Sequence, residues 1–263
     1  MIIYKAILLG IIQGLTEFLP ISSSGHLVFF QSILRLKEST LFFDVMLHLA
    51  TLLAVIIYFY KDISEIFKGM IRCLFQKDKF NLQLKLILYI IIATIPTALI
   101  GFFSRDFFES IFLKPKIVGG MLLITGGILF STKFFRREKK DLNRMKWMDS
   151  FYIGIVQGLA IIPGISRSGA TISTGIFLGL NRELSGKFSF LISIPAILGA
   201  TILEFYKLNS IKEGLNPTTA IGMLFAFGFG MLALRILMRW IKSGKLHNFS
   251  FYCWFIGIMT IIL

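Results

Sequence analysis

Apolar residues come in long runs along this chain, and the charged residues sit between the runs rather than on one face of each. At about 20 apolar residues per bilayer crossing, six runs are long enough to span: roughly 41–60, 84–103, 116–135, 186–206, 217–238 and 247–263, the last being the shortest. Two further apolar regions, about 4–34 and 148–180, are interrupted midway by Pro, Gly and Ser. A Ser/Gly loop cannot face lipid with unpaired amides. Each broken region therefore predicts a helix-loop-helix that enters partway and returns, its tip buried in protein.

The two broken regions repeat each other. Gly10-Ile11-Ile12-Gln13-Gly14-Leu15 recurs as Gly154-Ile155-Val156-Gln157-Gly158-Leu159, and in the same register Ile21-Ser22-Ser23-Ser24-Gly25 falls on Ile165-Ser166-Arg167-Ser168-Gly169. Pro20 and Pro163 precede the two Ser/Gly tips. After a one-residue shift, Phe43 to Val55 can also be laid on Phe188 to Ala200. The chain reads as one polytopic membrane domain, 1–263, built from repeat 1 at about 1–135 and repeat 2 at about 147–263.

Composition agrees: 56% hydrophobic residues, 14% aromatic and a mean hydropathy of +0.79 leave too little polar surface to cover a soluble globule. The 28 Lys+Arg against 14 Asp+Glu do not point to nucleic acid, because the cations lie between apolar runs and there orient helices. Cys73 lies in a charged stretch read as a loop and Cys253 in the last apolar run, so no disulfide framework is expected. The first apolar stretch is one copy of an internal repeat, and no cleaved leader is expected from it.

The cations also set topology. Lys61, Lys68, Arg72, Lys77, Lys79 and Lys85 follow the first full span, and Lys133, Arg136, Arg137, Lys139, Lys140, Arg144 and Lys146 follow the third; both segments should be cytoplasmic. Only Arg105, Lys114 and Lys116 separate spans two and three, and only Lys207 and Lys212 follow span four, which places those loops outside. Arg239, Lys242 and Lys245 return to the inside. With three full spans between them, the broken hairpins enter from opposite faces, the first from outside. The expected fold is an all-α integral membrane protein, an inverted-topology repeat with about six full transmembrane helices and two re-entrant hairpins whose polar tips face each other near the midplane.

Chemistry concentrates in those tips. Glu17 is flanked by Leu15, Phe18 and Leu19, where an ionised carboxyl is costly unless solvated, paired or metal-bound. Gln13, one helical turn earlier, could add a carbonyl oxygen, making a half-site for Mg²⁺ or Ca²⁺. Ser22, Ser23, Ser24 and Gly25 can aim backbone amides at one point and hold phosphate oxygens, and His26 on the same loop makes a serine-plus-histidine nucleophile arrangement available. Across the fold, Arg167 needs an anion at membrane depth. Its planar fork suits phosphate, and Gly164, Ser166, Ser168, Gly169 and Thr171 around it favour an oxyanion over a bare structural pair with Glu17. Asp44 and His48 share a helical face and read as structural, or at most as supports behind the site. The Phe-rich stretches at 102–108 and 225–229 read as lipid contacts or packing.

The segments Gln13-Gly-Leu-Thr-Glu17-Phe-Leu-Pro20-Ile-Ser-Ser-Ser-Gly25-His26 and Pro163-Gly-Ile-Ser-Arg167-Ser-Gly-Ala-Thr171-Ile172 resemble the two signature segments of the undecaprenyl-diphosphate phosphatases of the bacitracin-resistance type. The likeness extends over essentially the whole chain, including Phe188 to Pro195. It implies an integral hydrolase acting on an acid anhydride: removal of the terminal phosphate of undecaprenyl diphosphate, recycling the lipid carrier for peptidoglycan synthesis in the bacterial cell membrane, usually with a divalent cation. It further implies a site open to the extracytoplasmic side, with Glu17, Ser23, His26 and Arg167 catalytic and Ser22, Ser24, Ser166 and Ser168 in the binding loops. Gln13 and Glu17 match the first motif in its Gln form, which leaves position 13 without a carboxylate. Ser23 and His26 remain alternative nucleophiles. The rival reading is a transporter or flippase for an anionic polyprenyl phospholipid, for which an inverted repeat with a midplane anion site is equally natural. A homodimer is compatible with the sequence, and no nucleic-acid partner is expected.

Overall fold

A computed structural model describes residues 2–33, 41–75, 82–112, 114–135, 140–207 and 216–262. Lys77, Lys79, Arg136, Arg137, Lys139 and Lys212 lie outside the described residues. The described chain is all helical: α1 (Ile3–Phe18), α2 (Ser23–Ile33), α3 (Leu41–Tyr58), α4 (Tyr60–Phe75), α5 (Leu82–Phe103), α6 (Arg105–Phe112), α7 (Pro115–Ser131), α8 (Trp147–Leu159), α9 (Arg167–Phe177), α10 (Arg182–Lys207), α11 (Pro217–Lys242) and α12 (Phe249–Ile262).

Four of the expected spans, α5, α7, α10 and α11, are long and apolar enough to cross a membrane on their own. The expected first span differs. It does not end in a charged loop but continues, after a bend of 70° at Phe59, into the amphipathic helix α4, which carries Lys61, Lys68, Arg72 and Cys73. The charges that mark α4 as loop-like in the sequence all lie on one side of a helix, and its opposite side packs Ile63 and Ile66 against the core. At the last expected span lies α12, an apolar helix of 14 residues, shorter than the about 20 that a crossing takes.

Small residues set the packing. Lipid tails are as apolar as leucine, so helices in a bilayer associate through close backbone approach rather than hydrophobic burial. α1 lies on α11 and α8 lies on α5. A Cβ at Gly10 would come within 3.0 Å of the Gly222 carbonyl oxygen, and one at Gly154 equally close to that of Ala93. Gly14 meets Ala226 and Gly230, and Gly158 meets Ile100. The same two glycines of the duplicated sequence thus perform the same packing in each broken hairpin. α7 and α12 make a third close pair, through Gly119 and Gly257 and through Gly126 and Trp254.

The core runs between the hairpins. Phe18, Phe59 and Phe190 pack ring against ring, with Phe188, Ile153, Ile172 and Leu234 in the same buried cluster. Phe102, Phe103 and Phe107 are exposed, as expected of lipid contacts, while Phe108 is buried. Phe225 and Phe229 line a shallow apolar groove on the face of α11.

Candidate active site

Both tips are made by local sequence rules. Leu19, preceding Pro20, takes an extended conformation and ends α1. Ser22 adopts a left-handed φ of 67°, and its hydroxyl accepts the Gly25 amide at 3.2 Å, capping α2. In the second tip Gly164 turns the chain with φ 93°, where a Cβ would strike the Val118 carbonyl. Ser166 caps α9 by accepting the Gly169 amide at 3.1 Å. The matching serines also pair alike, Ser22 with Ser24 at 3.2 Å and Ser166 with Ser168 at 3.3 Å.

The tips meet. Ser168 Oγ approaches the Leu19 carbonyl at 3.5 Å, and the absent side chain of Gly169 leaves room for Pro20. Thr125 of α7 holds the second tip, its hydroxyl donating to the Gly164 carbonyl at 3.0 Å and accepting the Ser166 amide at 3.1 Å. Leu122, one turn earlier on α7, packs beneath Gly25 of the first.

Glu17 stands at the centre of this junction, 7% exposed. Its Oε1 accepts Arg167 Nη2 at 2.6 Å, and its Oε2 accepts Ser23 Oγ at 2.7 Å and Gln13 Nε2 at 3.1 Å. One carboxylate therefore touches the hydroxyl of one tip and the guanidinium of the other. Around it, the first-turn amides of α2 at Ser23 and Ser24, and of α9 at Arg167 and Ser168, have no acceptor within their own helices, and both helices turn their positive ends toward the junction. Among the described residues the buried Arg167 Nη1 has no partner, a donor beside the bridged carboxylate. That arrangement can take an oxyanion.

Other expected residues fall nearby in different roles. Thr171 faces away, donating to the Arg167 carbonyl at 2.8 Å and bonding Ser189 of α10, so it braces the helix that carries Arg167. His48 of α3 is one of the supports: its Nδ1 takes Gln13 Nε2 at 3.0 Å and lies 3.5 Å from Glu17. His26 is buried, bonded through Nδ1 to the Ser22 carbonyl and through Nε2 to the Tyr252 hydroxyl, each at 2.8 Å. Tyr252 of α12 is not a candidate from sequence, where it is one aromatic among many in the last apolar run.

A cation site can be tested on the donors present. Gln13 Oε1 is a buried acceptor without a partner among the described residues, on the side chain whose Nε2 meets the Glu17 carboxylate. No group of three or more His, Cys, Asp or Glu converges among the described residues. The donors fit a divalent ion that draws most of its oxygens from phosphate and water, as Mg²⁺ commonly does.

An all-helical fold with apolar spans, in which a carboxylate, a hydroxyl and a guanidinium meet at two facing helix-loop-helix tips, defines a multi-pass membrane protein with a polar site between broken helices. Residues 6–259 match the family described as bacitracin resistance protein BacA, and the chain belongs to that family. It is 45% identical to an undecaprenyl-diphosphatase of Alkaliphilus metalliredigens over 98% of both chains, and 42% identical to one of Halothermothrix orenii over 99% of this chain and 98% of that one. An undecaprenyl-diphosphatase of Korarchaeum cryptofilum is 44% identical over 99% of each.

Proposed function

We propose that this chain hydrolyses undecaprenyl diphosphate to undecaprenyl phosphate and inorganic phosphate, the activity named for its relatives, with Glu17, Ser23 and Arg167 at the reacting group. The observation that carries the residue roles is the bridge made by Glu17. Ser23 Oγ attacks the terminal phosphorus while its proton passes to Glu17, which it already faces. The anhydride bond breaks and the polyprenyl monophosphate leaves. The departing monophosphate takes the proton back from Glu17; water then attacks the phosphoserine, giving a proton to the carboxylate so freed, which passes it to Ser23 Oγ as inorganic phosphate leaves. Arg167 Nη1 and the first-turn amides of α2 and α9 stabilise the charge on the transferring phosphoryl oxygens. Gln13 and Glu17 would hold Mg²⁺ or Ca²⁺, which supplies charge neutralisation at the diphosphate.

The protein is a multi-pass membrane protein. The Lys/Arg alternation supports a bacterial cell-membrane topology with this site open to the extracytoplasmic side. The matched glycine packing of α1 on α11 and α8 on α5 supports two inverted repeats, about 1–135 and 147–263. A flippase needs the guanidinium and amides but has no use for a hydroxyl donating to a buried carboxylate, and the relatives, named as diphosphatases, favour hydrolysis. Purified protein in detergent, given a long-chain polyprenyl diphosphate and assayed for released phosphate, decides the matter, because detergent leaves no compartments for transport. Release at a rate well above that of Ser23→Ala supports the proposal; no release across a range of divalent ions and lipid lengths sinks it.

A further inference from the structure

His26 lies three residues after Ser23 in the first turn of α2, yet the two side chains face different surroundings. On α1, Gln13 and Glu17 occupy the face toward Ser23 and Arg167. Ile12, Leu15 and Leu19 occupy another face, which with His26 and Tyr252 lines an apolar cleft of about 490 Å³. A carbonyl oxygen only accepts, so the contact of His26 Nδ1 with the Ser22 carbonyl places the ring proton on Nδ1. Nε2 of the neutral ring is then an acceptor, and the Tyr252 hydroxyl donates to it. The two rings lie parallel within 4°, with centroids 5.5 Å apart. Both ring nitrogens are occupied. Neither is left to take the Ser23 proton, and Glu17 already faces that hydroxyl.

What His26 holds is the turn. Ser22 sits in the left-handed region, which is uncommon for a residue with a side chain and persists where surroundings fix it. Its carbonyl receives both the His26 ring proton and the His26 amide. The next residue of α12, Cys253, reaches the Pro20 carbonyl through Sγ at 3.5 Å. α12 thus grips the first tip at two consecutive positions while its packing partner α7 grips the second through Thr125, so this helix pair sets both tips against one frame.

We infer that His26 is a positioning residue, locked by Tyr252, that holds Ser22 in its left-handed turn and thereby sets Ser23 and the start of α2 opposite Glu17 and Arg167. The inference rests on the phosphatase reading for its kinetic consequences but not for its structural ones. His26→Asn can keep a donor near the Nδ1 position and has no titrating proton, whereas His26→Gln places its amide toward the Nε2 end. In the phosphate-release assay, His26→Asn, which keeps the donor to the turn but loses the bond to Tyr252, should lose about tenfold in kcat, as much as Tyr252→Phe, with KM and the shape of the pH profile retained, and His26→Gln more than about a hundredfold. Tyr252→Phe should lower kcat about tenfold at unchanged KM, the value of one hydrogen bond of about 1.4 kcal/mol, and should add nothing in the His26→Asn background.

If His26→Asn and His26→Gln both fold, as judged by thermal melt, and are equally inactive with the acidic limb of the pH profile gone, His26 is an acid or base and the inference falls. A readout independent of activity separates this from failure of the phosphatase reading. Amide hydrogen exchange of the peptide spanning 19–27 should speed up at least about fivefold in Tyr252→Phe, in line with one weakened hydrogen bond. Exchange at the wild-type rate overturns the lock whether or not the protein releases phosphate.

Discussion

Glu17 and Arg167 are 150 positions apart in the chain and 2.6 Å apart in space, each brought by a different broken hairpin. The pair is both a join between the hairpins and the electrostatic core of the site. A paired buried carboxylate is tolerable; an unpaired one is not. The second guanidinium nitrogen, buried and without a partner among the described residues, distinguishes this pair from a purely structural bridge, since it keeps donor capacity beside the carboxylate.

Arg167 can be tested on both counts. Arg167→Ala should reduce phosphate release by at least about a hundredfold, as removal of a donor to a developing oxyanion does elsewhere. Arg167→Lys, keeping charge without the fork, should retain far less than half of the wild-type rate. Because Glu17 would be stranded in Arg167→Ala, stability should fall by roughly 3 to 5 kcal/mol. Adding Glu17→Gln should recover much of the thermal midpoint but none of the activity. Near-normal turnover of folded Arg167→Ala would remove Arg167 from the mechanism.

Ser23 and Glu17 act in one step if the carboxylate takes the hydroxyl proton. Ser23→Ala and Glu17→Gln should then each lower kcat by about a thousandfold or more, and the double variant should be little worse than the poorer single, since groups acting in one step are strongly non-additive. Excess Mg²⁺ separates two roles of Glu17. Partial recovery of Glu17→Gln points to ion binding, and no recovery points to proton transfer alone. Multiplicative losses in the double variant would show that the two residues work independently.

The sequence makes the two tips and their facing arrangement legible, because the duplication and the broken hydrophobic runs are local patterns. Glu17 and Arg167 stand out as charges where charge is expensive. Their contact is legible only as an option, since it depends on the approach of α1 to α9 across the fold. The direction of His26 is not legible at all: three residues after Ser23 on a helix it is expected on the same face and suggests a shared task, but Ser23 in the first turn bonds Glu17 of α1 while the His26 ring finds its partner on α12. Tyr252 has no local signal of its own. α4 is misread for a related reason, its charges being clustered in sequence but confined to one side of a helix that turns 70° from α3.

The packing symmetry between hairpins predicts matched sensitivities. Gly10→Val and Gly154→Val should each destabilise the protein by about 1 to 3 kcal/mol or more, because each places a branched side chain against a neighbouring backbone. Gly127→Ala on α7, where a Cβ would meet nothing within 4 Å, should leave the thermal midpoint unchanged or raise it. If Gly154→Val melts like wild type while Gly10→Val does not, the two hairpins are not packed alike and the inverted-repeat proposal loses its main support.

Topology can be read from a cysteine the chain already has. Cys73 is partly accessible on α4, beside Lys68 and Arg72, and Cys253 is buried. Positive residues concentrate on the cytoplasmic side, so α4 should lie at the inner surface. In intact cells Cys73 should react with a membrane-permeant maleimide and resist an impermeant one added outside. Ser110→Cys, exposed on α6 in the segment between α5 and α7, should react with the impermeant reagent when Cys73 is replaced by serine. Arg144→Cys, exposed near the start of α8, should behave like Cys73. The inverted arrangement requires Cys73 and position 144 to share one side while position 110 takes the other. Impermeant labelling of Cys73 with protection at position 110 would turn the whole molecule over and move the proposed site opening to the cytoplasmic side. Labelling of Cys73 and position 144 from opposite sides would break the span count on which the facing tips depend.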